Sequence, residues 1–136
     1  MPQRHGLHEQ AQVALVLFRI GPYHAALEAC HILAMTDHPT ALRTANAHSL
    51  LYAGGDHDSP PSRWLTLRDA HTTTNDSHST WQLGVSGDIT LRQLPADTLH
   101  PLPKLLLSRR FSTALCGCTF DQQQLVLLLD ARKLSP

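Results

Sequence analysis

Residues 80–103 read TWQLGVSGDITLRQLPADTLHPLP, and the way this stretch divides decides the fold. From Thr80 to Val85 apolar and polar residues alternate. Trp81, Leu83 and Val85 fall on one side and Gln82, Gly84 and Ser86 on the other, the period of a strand with one covered face. Beyond Gly87 the alternation resumes, with Ile89 and Leu91 opposite Thr90 and Arg92. The stretch therefore predicts a strand, a turn at Gly87 and a second strand. Residues 95–99 predict one helical turn. Residues 101–107 (PLPKLLL) predict a short helix entered through proline, whose fixed φ suits a first helical position.

Working outward, residues 112–120 and 124–130 predict a hairpin around Asp121-Gln122-Gln123. Residues 12–20 (QVALVLFRI) are apolar on both faces, as in a strand buried from two sides. Gly21-Pro22 is turn chemistry, and residues 23–27 return as the second strand of a hairpin. Residues 27–35 (LEACHILAM) lack Gly and Pro and put Leu27, Cys30 and Leu33 on one stripe, which predicts a short helix over 28–35. Residues 49–53 predict a short strand ending at Gly54-Gly55, 54–62 a loop, 63–67 another strand, and 69–79 a polar connection. About eight short strands separated by turns make the chain all-β, closed as one barrel or as paired barrels, with one or two short helices. Residues 1–11 are expected to be a flexible N-terminal tail and residues 12–136 a single domain.

At 136 residues the chain has the length of one domain, able to bury roughly two-thirds of its unfolded surface without disulfides or metals. Eleven basic and eleven acidic side chains cancel, and charged residues are only 16% of the chain, against a usual quarter or so. That balance argues against nucleic acid and against an anionic membrane surface as partners. Arginine outnumbers lysine nine to two and suits fixed planar contacts. A lightly charged surface favours partner binding and weak self-association. The longest apolar runs, 13–18 and 125–129, fall far short of the ~18 residues of a membrane helix. The first twelve residues hold no signal-peptide core, and three cysteines fit a reducing compartment. A cytoplasmic location without membrane insertion is the expectation.

Cys116-Gly117-Cys118 places two thiols on one face of a strand. A zinc site takes four ligands with wider cysteine spacing, and a redox pair takes C-x-x-C. The pair reads instead as two small hydrophobes facing the core. Of the ten histidines, His5 and His8 fall in the tail and His57 in a loop between Asp56 and Asp58, and none completes a metal-ligand pattern. They read as polar surface residues with a weak adventitious affinity for nickel or zinc. His24 and His31, in or beside apolar segments, are the candidates for burial. Ser86 precedes Gly87-Asp88 but lacks the G-x-S-x-G frame of a reactive serine. Nucleophile elbows, P-loops and dinucleotide-binding glycines are absent. The residues thus imply no catalytic group, no cofactor and no metal centre, and the remaining enzymatic reading is a small metal-dependent enzyme that uses the histidines.

Three blocks, in order, resemble the CheW family of chemotaxis coupling proteins. Residues 80–103 are similar to that family's strand–turn–strand and its V..L…DL.PLP ending. Residues 111–134 (FSTALCGCTFDQQQLVLLLDARKL) resemble its closing hairpin and terminal LLLD..KLL. Residues 16–33 (VLFRIGPYHAALEACHIL) are similar to FRLGG..YALPLEAV..VL. Two departures stand out. The family's middle hairpin, G…NLRG…P..DL, has no counterpart between Met35 and Ser62, and Ser86 replaces the Asp of its VDEV block, with Asp88 two residues on.

The resemblance implies two small packed β-barrels and a non-enzymatic adaptor, in chemotaxis or in a type IV pilus chemosensory system. It implies as partners the regulatory domain of a CheA-type histidine kinase and the cytoplasmic tip of a chemoreceptor. In that family the coupling runs through a groove between the barrels and through barrel-end contacts with the kinase's regulatory domain, with apolar groove residues packed against a receptor helix hairpin or a kinase strand end. The expected partner-binding residues are Ile32, Leu33 and Met35 after the first hairpin, and Ile89 and Leu91 in the second barrel. The missing middle hairpin implies weak receptor contact. It leaves open a divergent module that binds another protein instead.

Overall fold

A computed structural model describes residues 11–51, 60–69, 79–107 and 112–136. Among these, nine strands form: β1 (Gln12–Ile20), β2 (Tyr23–Glu28), β3 (Ile32–Thr36), β4 (Thr44–Asn46), β5 (Arg63–Arg68), β6 (Thr80–Pro95), β7 (His100–Pro101), β8 (Leu115–Asp121) and β9 (Gln124–Leu129). They pair in the order β3-β5-β6-β1-β2-β9-β8-β7, with β4 joined to β6. The β2–β9 and β4–β6 pairs are parallel and the others antiparallel. Two short helices, α1 (Ala47–Leu51) and α2 (Lys104–Leu107), and 3-10 turns at Ala29–His31, Ala96–Thr98 and Ala131–Lys133 complete the described elements.

β1 is apolar on both sides because it has a core on each. Phe18 and Ile20 turn one way, into a core with Ala25 and Leu27 of β2, Leu65 and Leu67 of β5, and Trp81, Leu83 and Val85 of β6. Leu15 and Leu17 turn the other way, onto Ala26 of β2 and Val126 of β9, where Leu94, Leu99 and Leu128 close a smaller core. The register agrees, since Phe18 lies opposite Ala25 and Leu17 opposite Ala26. β1, β2 and β9 thus form a wall between two apolar interiors, and the all-β chain folds as two small packed barrels. Fully burying a side chain such as Phe18 or Leu27 contributes about 1.5–3 kcal/mol relative to leaving it in water. The wall does this on both faces.

The expected turn at Gly87 is a bend inside one strand. β6 runs for 16 residues, its first half pairing with β5 and its second with β1. At the junction Leu17 faces Thr90 while Arg19 faces Ser86, so Gly87, Asp88 and Ile89 stand opposite Phe18 alone. A bulge of this kind bends the strand and re-aims its side chains. Gly87 has φ +78°, and a Cβ there would lie 2.7 Å from Arg19 Cγ, so the bend requires glycine. Through it a single strand contributes to both cores.

Three further expectations change. Residues 28–35 are not a helix: one 3-10 turn follows β2, and Ile32 then starts β3, because pairing with β5 outweighs a stripe of barely two helical turns. Residues 49–51 belong to α1 and not to a strand; Asn46 Oδ1 accepts from the His48 N–H at 3.0 Å where the helix begins. Residues 52 and 53 of that expected strand, the tail except Ala11, the loop over 54–59 and the connection over 70–78 lie outside the described residues. Finally, the cysteines do not face the core. In β8 the buried positions are Gly117 and Thr119, while Cys116 is exposed and Cys118 half-buried. A Cβ on Gly117 would collide with the His100 carbonyl of β7, so glycine is required there, and Cys116 is the extra residue of a bulge opposite β9. The hairpin itself is as expected. Its turn residues Gln122 and Gln123 have φ 53° and 67°, the signs of the two-residue turn that matches strand twist.

The end of the chain is fastened by Asp130. Its carboxylate accepts from the Arg132 backbone N–H at 3.0 Å and from the guanidinium at 3.0 and 3.2 Å, capping the turn over Ala131–Lys133 and pressing Ala131 and Leu134 into the core. Hydrogen bonding from Arg132 holds this carboxyl below the usual range, against a smaller opposing effect of burial. A folded-state value below the unfolded one means the contribution is complete above the unfolded pKa of ~3.9 and is lost as pH falls through the lowered value. Melting curves from pH 6 to pH 3 should therefore show wild type above Asp130→Asn at the upper end, with the gap closing below pH ~4.

Candidate functional site

The bulge in β6 opens a groove of about 640 Å³ where β3 and β5 meet β1 and the second half of β6. Val16, paired with Leu91 across β1 and β6, forms its floor, and Ile89 and Met35 its apolar sides. Arg63 and Asp88 stand at the edge. Leu91 is 63% exposed and Met35 40%, large values for apolar side chains lining one groove. The Arg63 guanidinium lies over Met35, with Nη1 3.8 Å from Sδ, and its Nε reaches Asp37 at 3.3 Å. An apolar centre with a charged, solvated rim is the anatomy of a protein-binding patch.

A solved structure is similar to this fold. The scaffolding protein TtCheW of Thermoanaerobacter tengcongensis superposes with a TM-score of 0.67 over 88% of this chain and 89% of that one, at 8% sequence identity. The chain has a CheW-like fold. No family model matches it, and no curated protein matches it either.

Within the CheW-like fold the five expected partner-binding residues divide. Met35 comes together in the groove with Ile89 and Leu91, which lie far along the chain from it. Ile32 does not join them, because it is half-buried against the larger core. Leu33 is 49% exposed but belongs to a neighbouring cleft with Cys30, His31 and Leu67. The cause is a bulge in β3: Ile32 pairs with Leu67 and Ala34 with Thr66, which leaves Leu33 as the extra residue. Sequence reasoning missed Val16, Arg63 and Asp88 as lining residues. It also missed an exposed apolar pair at the tip of the β8–β9 hairpin, where Phe120 (63% exposed) lies opposite Leu125 (45%). Their position beside the Gln-Gln turn was the available signal.

The catalytic candidates are tied to structural duties. Ser86 Oγ donates to the Arg19 carbonyl at 3.2 Å, stitching the bulge. Burial and then the Asp130 charge raise the Cys116 thiol, and burial and then a hydrogen bond to Glu28 raise that of Cys30. Raised thiols stay protonated at neutral pH, the opposite of an activated nucleophile. His24 and His31 are each half-buried; among the described histidines the buried one is His48, 8% exposed in α1. His5, His8 and His57 lie outside the described residues.

Proposed function

We propose that this chain is a non-enzymatic scaffold of chemotaxis-type signal transduction that binds the regulatory domain of a CheA-type histidine kinase and binds receptor tips weakly. The observation that carries the reading is the groove, where Leu91 and Met35 present exposed apolar surface on a rigid sheet between charged rim residues. Apolar anchors held by a scaffold and ringed by polar groups favour a protein partner over a small polar substrate. The CheW-like fold supports the choice of partner class, as its structural neighbour is itself a scaffolding protein. The same role fits a cytoplasmic protein, in a chemotaxis or a pilus-type pathway, and among the described residues no helix is long and apolar enough to cross a membrane.

A second reading is a divergent module bound to some other protein. It is favoured by the interval between β3 and β5, where the described residues supply only β4 and α1 in place of a receptor-facing hairpin. Calorimetric titration of the chain with a CheA-type regulatory domain, and separately with a chemoreceptor tip, decides between them. Saturable kinase binding with weak or undetectable receptor binding is the expected result. Tight receptor binding without kinase affinity reverses the assignment, and affinity for neither selects the second reading.

A further inference from the structure

The 3-10 turn between β2 and β3 gathers three different ligand types that the groove does not use. Ligand atoms of Glu28, Cys30 and His31 all lie within 4.8 Å of one another. The Cys30 Sγ to Glu28 Oε2 distance is already 3.6 Å. With zinc–sulfur bonds of ~2.3 Å and zinc–oxygen bonds of ~2.0 Å, two ligands on a tetrahedral edge stand roughly 3.5 Å apart. That edge therefore needs almost no rearrangement. The turn is anchored at both ends by paired strands, Glu28 opposite Leu15 of β1 and Ile32 opposite Leu67 of β5, so the backbone that carries the three side chains is held.

We propose that Glu28, Cys30 and His31 bind one divalent cation of the zinc class. A thiolate, an imidazole and a carboxylate together select a borderline-soft ion, since magnesium and calcium take oxygen ligands alone. Metal binding releases the Cys30 proton to solvent, and the resulting thiolate and the Glu28 carboxylate balance the double positive charge. Two arginines, Arg68 and Arg132, line the cleft that holds Cys30 and His31, and the Arg132 guanidinium is engaged by Asp130 at 3.0 Å. Glu28 and Cys30 are exposed and His31 half-buried, so the fourth coordination position opens to solvent beside Leu33. It is free for water or for a ligand atom from a bound partner.

Cobalt(II) titration of the full chain, without an affinity tag and in a non-chelating reductant, tests this with a sulfur-specific signal. One equivalent should produce a near-ultraviolet thiolate-to-cobalt charge-transfer band and tetrahedral visible bands, and zinc should displace both. Cys30→Ser should remove the charge-transfer band, while Cys116→Ser with Cys118→Ser should keep it. Glu28→Gln and His31→Gln should each weaken binding by at least the roughly 10–100-fold that changes behind a metal's direct ligands cost. Circular dichroism checks that the variants, all at exposed or half-buried positions, stay folded. Three results would overturn the proposal: no band in wild type, a band that survives Cys30→Ser, or unchanged affinity in both Glu28→Gln and His31→Gln. The histidines elsewhere in the chain cannot mimic the expected result, because they carry no sulfur.

Discussion

Replacing Gln82 by leucine is expected to destabilise the protein by about 2–4 kcal/mol although it inserts a hydrophobic residue at a fully buried position. Gln82 has no exposed surface. Its Oε1 accepts from the backbone N–H of Thr40 at 2.6 Å and of Ala41 at 3.0 Å, and its Nε2 donates to the hydroxyls of Thr36 and Thr66, each at 3.1 Å. A primary amide offers two acceptor sites and two donors, and all four are used. Leucine has nearly the right size but removes the partner of two part-buried backbone donors, and a donor left unpaired out of water costs about 1–3 kcal/mol. The threonine hydroxyls can rotate to other partners, so they add less. Gln82→Glu should be worse, because it keeps the acceptor and buries a charge without a cationic partner. Urea denaturation measures the effect, with the midpoint moving and the slope constant. A loss well under about 1 kcal/mol would show that water replaces the amide without penalty. The consequence reaches the groove: Thr36 follows Met35 directly, so the amide clamps the segment that presents one of the apolar anchors.

Gln82 also shows where the sequence stops being legible. The alternation of residues 80–85 locates a strand correctly, but a period of two says only that faces differ, not that one is wet. Here the polar face lies under residues 36–46, which the amide itself recruits, and Gly84 is forced by Pro61 and Trp64, where a Cβ would come within 2.7–2.9 Å. By contrast, β1 could be read outright, because nine residues apolar on both sides have no other stable placement than between two cores. Gly87 was recognised as special, yet its positive φ serves a turn and a bulge equally, and pairing partners far along the chain decide which. The same limit explains the cysteines. The pair was read by alternation, but Cys116 is the extra residue of a bulge in β8, and Gly117 lies tight against the His100 carbonyl of β7. In the groove Ile89 and Leu91 stood out as apolar residues on an expected strand and Met35 as the end of an expected helix, whereas Leu33 was carried elsewhere by a bulge that no local pattern announces.

Leu91→Glu is expected to weaken binding of the kinase regulatory domain by at least ~100-fold, about 2.7 kcal/mol, while leaving the fold intact. The separation of the two effects follows from its placement. Leu91 is 63% exposed on the outer face of β6, away from both cores, and exposed substitutions free of special contacts usually stay within about 0.5 kcal/mol. In a complex the same position would be dry, and an unpaired carboxylate there costs several kcal/mol. Arg63 at the rim could partly neutralise a glutamate, so Leu91→Arg provides a second variant of opposite charge. Met35→Glu should behave alike, because Met35 lines the same groove and is 40% exposed. Ile89 is unsuitable, since it packs against the larger core and a charge there would unfold the domain. Phe120→Glu at the hairpin tip is the control: it removes an equally exposed apolar side chain outside the groove and should leave affinity unchanged. If both Leu91 variants bind as wild type while Phe120→Glu does not, the kinase-facing surface is the β8–β9 hairpin. If Leu91→Glu melts far below wild type, Leu91 is a core residue, and the exposed groove that carries the functional reading does not exist.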